Sequence, residues 1–190
     1  MKIAFDIDGV VLKSIDIILQ HINRATGRQL TADNLLSWDL EPLGLDLWTL
    51  REAVDYMYSR RTIEPYEDAL KVLSRIHQAT GEPLLFITGR AMPETARHQL
   101  EALPWNPTVP KMIVTGGNRD KRDYLRREKV HFIVEDDVEY VKDYLEAGIG
   151  VGLMLQPWNR LSRLPVTEKF QGWRDLERWF FALERERPKK

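Results

Sequence analysis

The chain has no cysteine. Disulfides, thiolate nucleophiles and zinc–thiolate sites are therefore excluded. It also lacks an excess of charge of either sign: 28 lysines and arginines stand against 29 aspartates and glutamates, for a net charge of −1. No overall field draws it to nucleic acid or to an anionic membrane, so nucleic acid is not an expected partner. No apolar run approaches the length that spans a bilayer, and no membrane partner is expected. The first strand begins at residue 2, which leaves no room for a secretory leader, so a cytoplasmic location is the expectation. The four histidines, His21, His77, His98 and His131, sit at no metal-ligand spacing and read as structural or surface residues. There is no internal repeat and no low-complexity segment. What remains, 190 residues, suits one domain with a small insert and is enough to bury a core.

The chemistry-bearing residues lie at the ends of short apolar runs. Lys2-Ile3-Ala4-Phe5 leads into Asp6-Ile7-Asp8-Gly9. Strands read as apolar runs bounded by turn residues, so Asp6 falls at the carboxyl end of a strand and Asp8 in the loop leaving it. Two carboxylates so close repel and lose hydration unless a cation compensates. Asp6 suits a nucleophile and metal ligand, and Asp8 a general acid/base, while Gly9 permits a tight turn. The same string is also an ordinary polar strand exit. Three further runs follow: Leu84 to Ile87 before Thr88-Gly89-Arg90, Met112 to Val114 before a loop reaching Lys121, and His131 to Val134 before Glu135-Asp136-Asp137. Gly150 to Leu155 reads as a fifth strand. In a parallel sheet these ends share one edge, which places carboxylate, hydroxyl, cation and carboxylates together.

Between Val10 and Leu84 lies far more chain than a strand–helix–strand crossover needs. The crossover helix is expected over Pro65 to Thr80, with Ala69, Leu70, Leu73 and Ile76 as its apolar stripe. Residues 12–62 then form a helical insertion. Ile15, Ile18, Leu19 and Ile22 recur at helical spacing after Ser14, an expected N-cap, and Leu47, Leu50, Val54 and Met57 mark a second helix. The insertion leaves above the shared strand edge, where it forms a lid. Further helices are expected over Pro93–Leu103, Lys121–Glu128, Val138–Ala147 and Trp173–Glu184, and a frayed tail over 185–190. The fold class is α/β: a three-layer, Rossmann-like parallel sheet with helices on both faces, a core of residues 1–11 and 63–190, and a small helical cap inserted after the first strand.

The order Asp-x-Asp, Thr, Lys, acidic pair resembles the haloacid dehalogenase-like (HAD) hydrolase superfamily over residues 3 to about 160. That resemblance implies a Mg²⁺-dependent phosphomonoesterase working through an aspartyl-phosphate. It makes Asp6 the nucleophile and Asp8 the acid/base, and gives Asp6, the backbone carbonyl of Asp8, and Asp136 to Mg²⁺. Glu135 or Asp137 is left to hold metal-bound water. Thr88 and the Gly89 amide would bind the phosphoryl group and Lys121 would neutralise it. Thr88-Gly89 is also a plain strand-end turn, and Lys121 lies in a basic stretch, Arg119 to Lys129, that also reads as a solvated helix face; Lys111 is the substitute cation. Arg90 either reaches substrate or forms a surface salt bridge.

A finer resemblance, to deoxyribonucleotidase-type phosphatases with a small helical cap, rests on Asp6 to Val11, Leu30 to Asp33, Trp38-Asp39, Thr88 to Thr95 and Gln156 to Arg160. This chain has Gly9 where the animal enzymes usually carry Arg, and it lacks their closely spaced aromatics just after the first motif. The substrate expectation is a nucleoside monophosphate or similar small phosphorylated metabolite. Trp38 and Tyr58 of the cap are candidates to hold the leaving group, with core packing as their other reading. Gln156 to Arg160 reads as a Pro-Asn turn with a buried Trp in preference to a substrate contact. The alternatives are a phosphosugar phosphatase or mutase, a catalytically silent nucleotide-binding protein, and, against the balanced charge, a nucleic-acid end-processing phosphatase. A homodimer is left open.

Overall fold

The computed structural model describes residues 1–38, 40–105 and 111–186; Asp39 and the end of the expected tail, 187–190, lie outside the described residues. In chain order the elements are β1 (Ile3–Phe5), α1 (Ser14–Thr26), α2 (Leu47–Ser59), α3 (Ala69–Thr80), β2 (Leu85–Thr88), α4 (Pro93–Glu101), β3 (Lys111–Val114), α5 (Arg122–Arg127), β4 (Phe132–Glu135), α6 (Val141–Glu146), β5 (Gly150–Met154), β6 (Glu168–Phe170) and α7 (Trp173–Glu186), with 3-10 turns at Ala32–Asn34 and Glu41–Leu43. None of the described helices is long and apolar enough to cross a membrane.

Six strands run parallel in the order β3-β2-β1-β4-β5-β6, with Ala4 of β1 opposite Leu85 of β2 and Ile133 of β4. Successive strand residues point to opposite faces, and both faces are covered. Phe5, Phe86, Phe132 and Val134 pack on one side with Leu73 of α3, Leu100 of α4, and Leu176 and Phe180 of α7. Ala4, Leu85, Ile87, Ile133 and Val151 pack on the other with Leu125 of α5 and Val141 and Tyr144 of α6. This is the three-layer α/β architecture. Ile15, Ile18, Leu19 and Ile22 of α1 and Leu50, Ala53 and Met57 of α2 join the first cluster.

Several boundaries moved. Pro65 does not open α3. It forms an antiparallel bridge with Leu12, and the two chain segments are tied by Lys13 N to Glu64 O at 2.9 Å and Tyr66 N to Val11 O at 2.9 Å. These paired segments carry the chain into and out of the helical region. Ser14 is the first residue of α1 and does not cap it, because its hydroxyl donates to Asp8 Oδ1. α6 begins at Val141 rather than 138. β6 has no counterpart in the sequence reading: only Phe170 of its three residues is buried, and Glu168-Lys169 carries no strand periodicity.

The glycines of β5 have a packing reason. A Cβ on Gly152 would lie 2.5 Å from Phe170 Cε2 and 2.7 Å from Phe132 Cε1. Trp179 of α7 closes over both rings, with centroids 4.4 Å from Phe132 and 5.4 Å from Phe170. Gly152→Ala should cost about 1–3 kcal/mol through overpacking. Urea unfolding measures it, and an unchanged midpoint would contradict the packing account.

Candidate active site

Asp6, Thr88 and Asp136 are set by strand ends and Lys121 by the start of a helix. Asp6 follows β1, and its amide donates to Val134 O at 2.9 Å. Thr88 ends β2, Asp136 follows β4, and Lys121 stands immediately before α5. All line one cavity of about 460 Å³ at the carboxyl edge of the sheet, with Asp8, Gly89 and Arg90, and with Trp38 and Tyr58 from the helical region. The sequence-expected site residues thus come together. No histidine lines this cavity among the described residues.

Lys121 is buried, with its Nζ 2.8 Å from Asp6 Oδ1 and 2.6 Å from Glu135 Oε1. Burial alone would discharge an ammonium, but the two carboxylates outweigh it and raise its pKa well above the ordinary lysine value. Tyr144 steadies this loop: its Oη accepts from Lys121 N at 3.3 Å and donates to Arg119 O at 3.3 Å. Lys111 instead pairs with Glu128 at 2.7 Å on the exposed start of β3, which leaves Lys121 as the lysine that lines the cavity among the described residues.

Asp6, Glu135 and Asp136 are buried and offer carboxylate oxygens within 4.8 Å of one another. Burial, then repulsion from Glu135 and Asp8, holds the Asp6 pKa well above the usual carboxylate range, with Lys121 offsetting only part. Asp136 is raised in the same way by burial and by Asp6 and Glu135. A single ammonium does not balance three carboxylates. The all-oxygen donor set with surplus negative charge fits a hard divalent cation such as Mg²⁺. Glu135 is already engaged by Lys121, and its other oxygen accepts from Asp136 N at 3.1 Å. Asp137 pairs with Arg119 at 2.5 Å. Asp6 and Asp136 are therefore the side chains best placed to hold the ion.

Asp136 is held by the segment after β5. Trp158 Nε1 donates to its Oδ2 at 2.9 Å, and Asn159 Nδ2 donates to its backbone O at 2.7 Å. Gln156 Nε2 reaches Gly9 O at 2.6 Å. Gly9 has φ +76°, and a Cβ there would fall 2.1 Å from Asp136 Oδ2. The position demands glycine twice over, for its backbone and for the carboxylate above it. The Trp158 and Asn159 contacts support the site carboxylate, a function the bland turn reading of Gln156 to Arg160 missed.

Arg90 differs from its expected roles. It is 3% exposed, so its ion pair is not a surface one. Its Nε donates to Asp8 Oδ2 at 2.8 Å and its NH2 to Oδ1 at 2.6 Å, and its NH1 donates to Gln99 Oε1 at 2.6 Å. The guanidinium is bound to Asp8 and Gln99 and also lines the cavity. Burial raises the Asp8 pKa, but Arg90 outweighs it and, with the Ser14 hydroxyl, holds the carboxyl below its ordinary value. The Arg90 guanidinium lies 5.5 Å from the Tyr58 ring centre. Trp38 packs on Trp158 with centroids 5.4 Å apart. Both aromatics therefore pack against site-supporting residues while lining the cavity. Ser14 and Gln99 were missed by sequence reasoning. The signal for Gln99 was an amide on the buried stripe of α4, beside Ala96 and Leu100.

No protein-family model and no curated protein sequence matches the chain. Solved structures do. A HAD family hydrolase from Deinococcus radiodurans with bound phosphate and sodium superposes with a TM-score of 0.69 at 16% identity, covering 99% of this chain and 98% of that one. The fold is that of the haloacid dehalogenase-like hydrolases. A HAD hydrolase from Bacillus subtilis bound to magnesium matches with a TM-score of 0.62 at 15% identity, over 96% and 97% of the two chains. An L-2-haloacid dehalogenase matches with a TM-score of 0.58 at 14% identity, over 95% and 98%. The HAD fold thus carries more than one chemistry, and function has to be argued from the site.

The crowded carboxylates set a sign. Groups whose pKa is raised on folding favour the folded state at low pH, and that contribution is lost as pH rises through the raised values. Metal-free protein should therefore lose stability towards neutral pH. Asp136→Asn, which keeps an acceptor for Trp158, should raise the metal-free melting temperature at neutral pH and reduce the further rise on adding Mg²⁺. A lower melting temperature in EDTA would contradict the repulsion described here.

Proposed function

We propose that the protein is a Mg²⁺-dependent phosphomonoesterase working through an aspartyl-phosphate on Asp6, and that it acts on nucleoside monophosphates or similar small phosphorylated metabolites in the cytoplasm. The observation that carries this reading is Lys121 buried between Asp6 and Glu135, with Asp136 alongside and a second, separately held carboxylate at Asp8. Such a site meets the two demands of phosphoryl transfer, positioning and charge neutralisation. The Asp6 carboxylate attacks phosphorus, the bond to the ester oxygen breaks, and protonated Asp8 gives that oxygen its proton. Asp8 then takes a proton from water as the water attacks the phosphorus of the aspartyl-phosphate, releasing phosphate and restoring Asp6. Lys121 offsets the charge of Asp6 and the phosphoryl oxygens together, and Thr88 donates to them from the end of β2. Held by Asp6 and Asp136, Mg²⁺ would supply further neutralisation of the phosphoryl oxygens. Arg90 holds Asp8 in place and ionised, which suits the base step; in the acid step Asp8 takes up its proton against that pull.

Dehalogenation is the competing reading. A departing halide needs no proton, so dehalogenation would use the buried, guanidinium-held Asp8 only as the base for ester hydrolysis. Phosphoester cleavage uses it twice.

In this reading residues 12–62 are a cap that selects the leaving group. Leu40, Leu47, Leu50 and Val54 form an apolar wall with Trp38 and Tyr58. The cations lining the cavity among the described residues, Arg90, Arg119 and Lys121, are each paired with a carboxylate. That wall suits a neutral leaving group with an apolar or aromatic face, as in a nucleoside, over one carrying a second phosphate or a carboxylate.

A phosphate-release panel of nucleotides and sugar phosphates in Mg²⁺ tests this. Nucleoside monophosphates should outperform sugar bisphosphates and carboxylate-bearing esters, EDTA should abolish turnover, and Asp6→Asn should abolish it with the fold intact. Preference for sugar phosphates would overturn the substrate reading. Full activity of Asp6→Asn would overturn the mechanism.

A further inference from the structure

Gln99 is fully buried on α4. A buried amide is costly unless its hydrogen bonds are made, and every group of this one is used. Its Oε1 accepts from Arg90 NH1 at 2.6 Å, and its Nε2 donates to Met57 O at 3.0 Å and Arg60 O at 2.8 Å. The orientation of the amide is dictated by its partners, since a guanidinium only donates and carbonyls only accept. The two carbonyls belong to the last turn and C-cap of α2, and Met57 O also accepts from Arg60 N at 3.2 Å. The side chain therefore joins the carboxyl end of α2 to the guanidinium that grips Asp8 in two places. A second link runs in parallel: Tyr58 of α2 lies under the same guanidinium, and Ser14, at the start of α1, donates to Asp8.

We propose that Gln99 is a positioning residue that couples the placement of α2 to Asp8 through Arg90. With α2 seated, Gln99 fixes the guanidinium and Asp8 is held in place. A shift of α2 pulls on Gln99, turns the guanidinium and carries Asp8 out of line with the ester oxygen. The coupling rests on the acid–base role given to Asp8 above. It goes beyond that role by assigning its control to a residue that touches neither substrate nor the reacting atoms.

The test uses leaving-group dependence. An alkyl phosphate leaves as a basic alkoxide that needs a proton, whereas para-nitrophenyl phosphate releases a stable phenolate that does not. Asp8→Asn, as the reference, should lower kcat/KM for the best alkyl ester of the phosphate-release panel far more than for the aryl ester. Gln99→Met, nearly isosteric and unable to bond Arg90 or the α2 carbonyls, should show the same split in kcat/KM, which covers the steps up to departure of the leaving group and not the later hydrolysis common to both esters. We expect a loss of about 10-fold or more for the alkyl ester, a modest fraction of what general acid catalysis contributes, and about 2-fold or less for the aryl ester. Arg90→Lys keeps the charge but cannot bridge Asp8 and Gln99, and should reproduce the split if Gln99→Met fails to fold. Parallel loss on both esters, or no loss, in a folded Gln99→Met with the split intact in Asp8→Asn would overturn the coupling alone. No split in Asp8→Asn, or no activity on any ester in the wild type, would overturn the acid–base reading and the coupling with it.

Discussion

The Lys121 ammonium is the contact on which the site depends. Among the described residues it is the one cation paired with both Asp6 and Glu135, and it stands where two strand ends and the start of α5 meet. Without it, burying Asp6, Glu135 and Asp136 within 4.8 Å of one another would force protons onto them, since burial and mutual repulsion already push Asp6 and Asp136 upwards. With it, the set is negative enough to attract a hard cation and close enough to neutral to remain folded. Tyr144, wedged under the loop by two hydrogen bonds, shows how the opposite layer of the fold serves this one interaction.

Around that centre the supporting contacts fall into two groups. The segment after β5 fixes Asp136 through Trp158 and Asn159 and closes on Gly9 through Gln156. Gly9 in turn lets the β1 loop pass beneath the carboxylate. Asp8 is served by a different set, Ser14, Arg90 and Gln99, and each of these is attached to the helices that follow β1. The side chains that hold charge thus belong to the sheet, and the side chain read here as moving protons is wired to the helical region. That division suits a reaction in which the phosphoryl group stays put while the leaving group and water exchange above it.

Much of this was legible in the sequence, for a physical reason. Apolar runs ending in Asp6, Thr88 and Asp136 mark strand ends, and a parallel sheet brings such ends to one edge whatever else the chain does. Lys121 was legible because it stands at the start of a helix near those ends. The unread parts depend on packing rather than on periodicity. Pro65 is a good first helical residue but is claimed by the bridge to Leu12. Ser14 looks like a cap but is claimed by Asp8. Arg90 was expected at a substrate or on the surface, and only burial shows that it is spent on Asp8. β6 carries one buried side chain, too few for a pattern. Gln99 left a trace, a polar residue in an apolar stripe, but its two partners on α2 lie 42 and 39 positions away in sequence and could not be named from it.

The central claim is that Asp6 itself carries the phosphoryl group. The direct measurement is acid-quenched peptide mapping by mass spectrometry of the Asp8→Asn protein during turnover in Mg²⁺, with Asp6→Asn as the blank. The account predicts an acid-stable, base-labile phosphoryl group on the peptide containing Asp6, absent from the blank. Phosphate release by the wild type with no phosphorylated Asp6 peptide trapped in Asp8→Asn, together with undiminished turnover of Asp6→Asn, would contradict it.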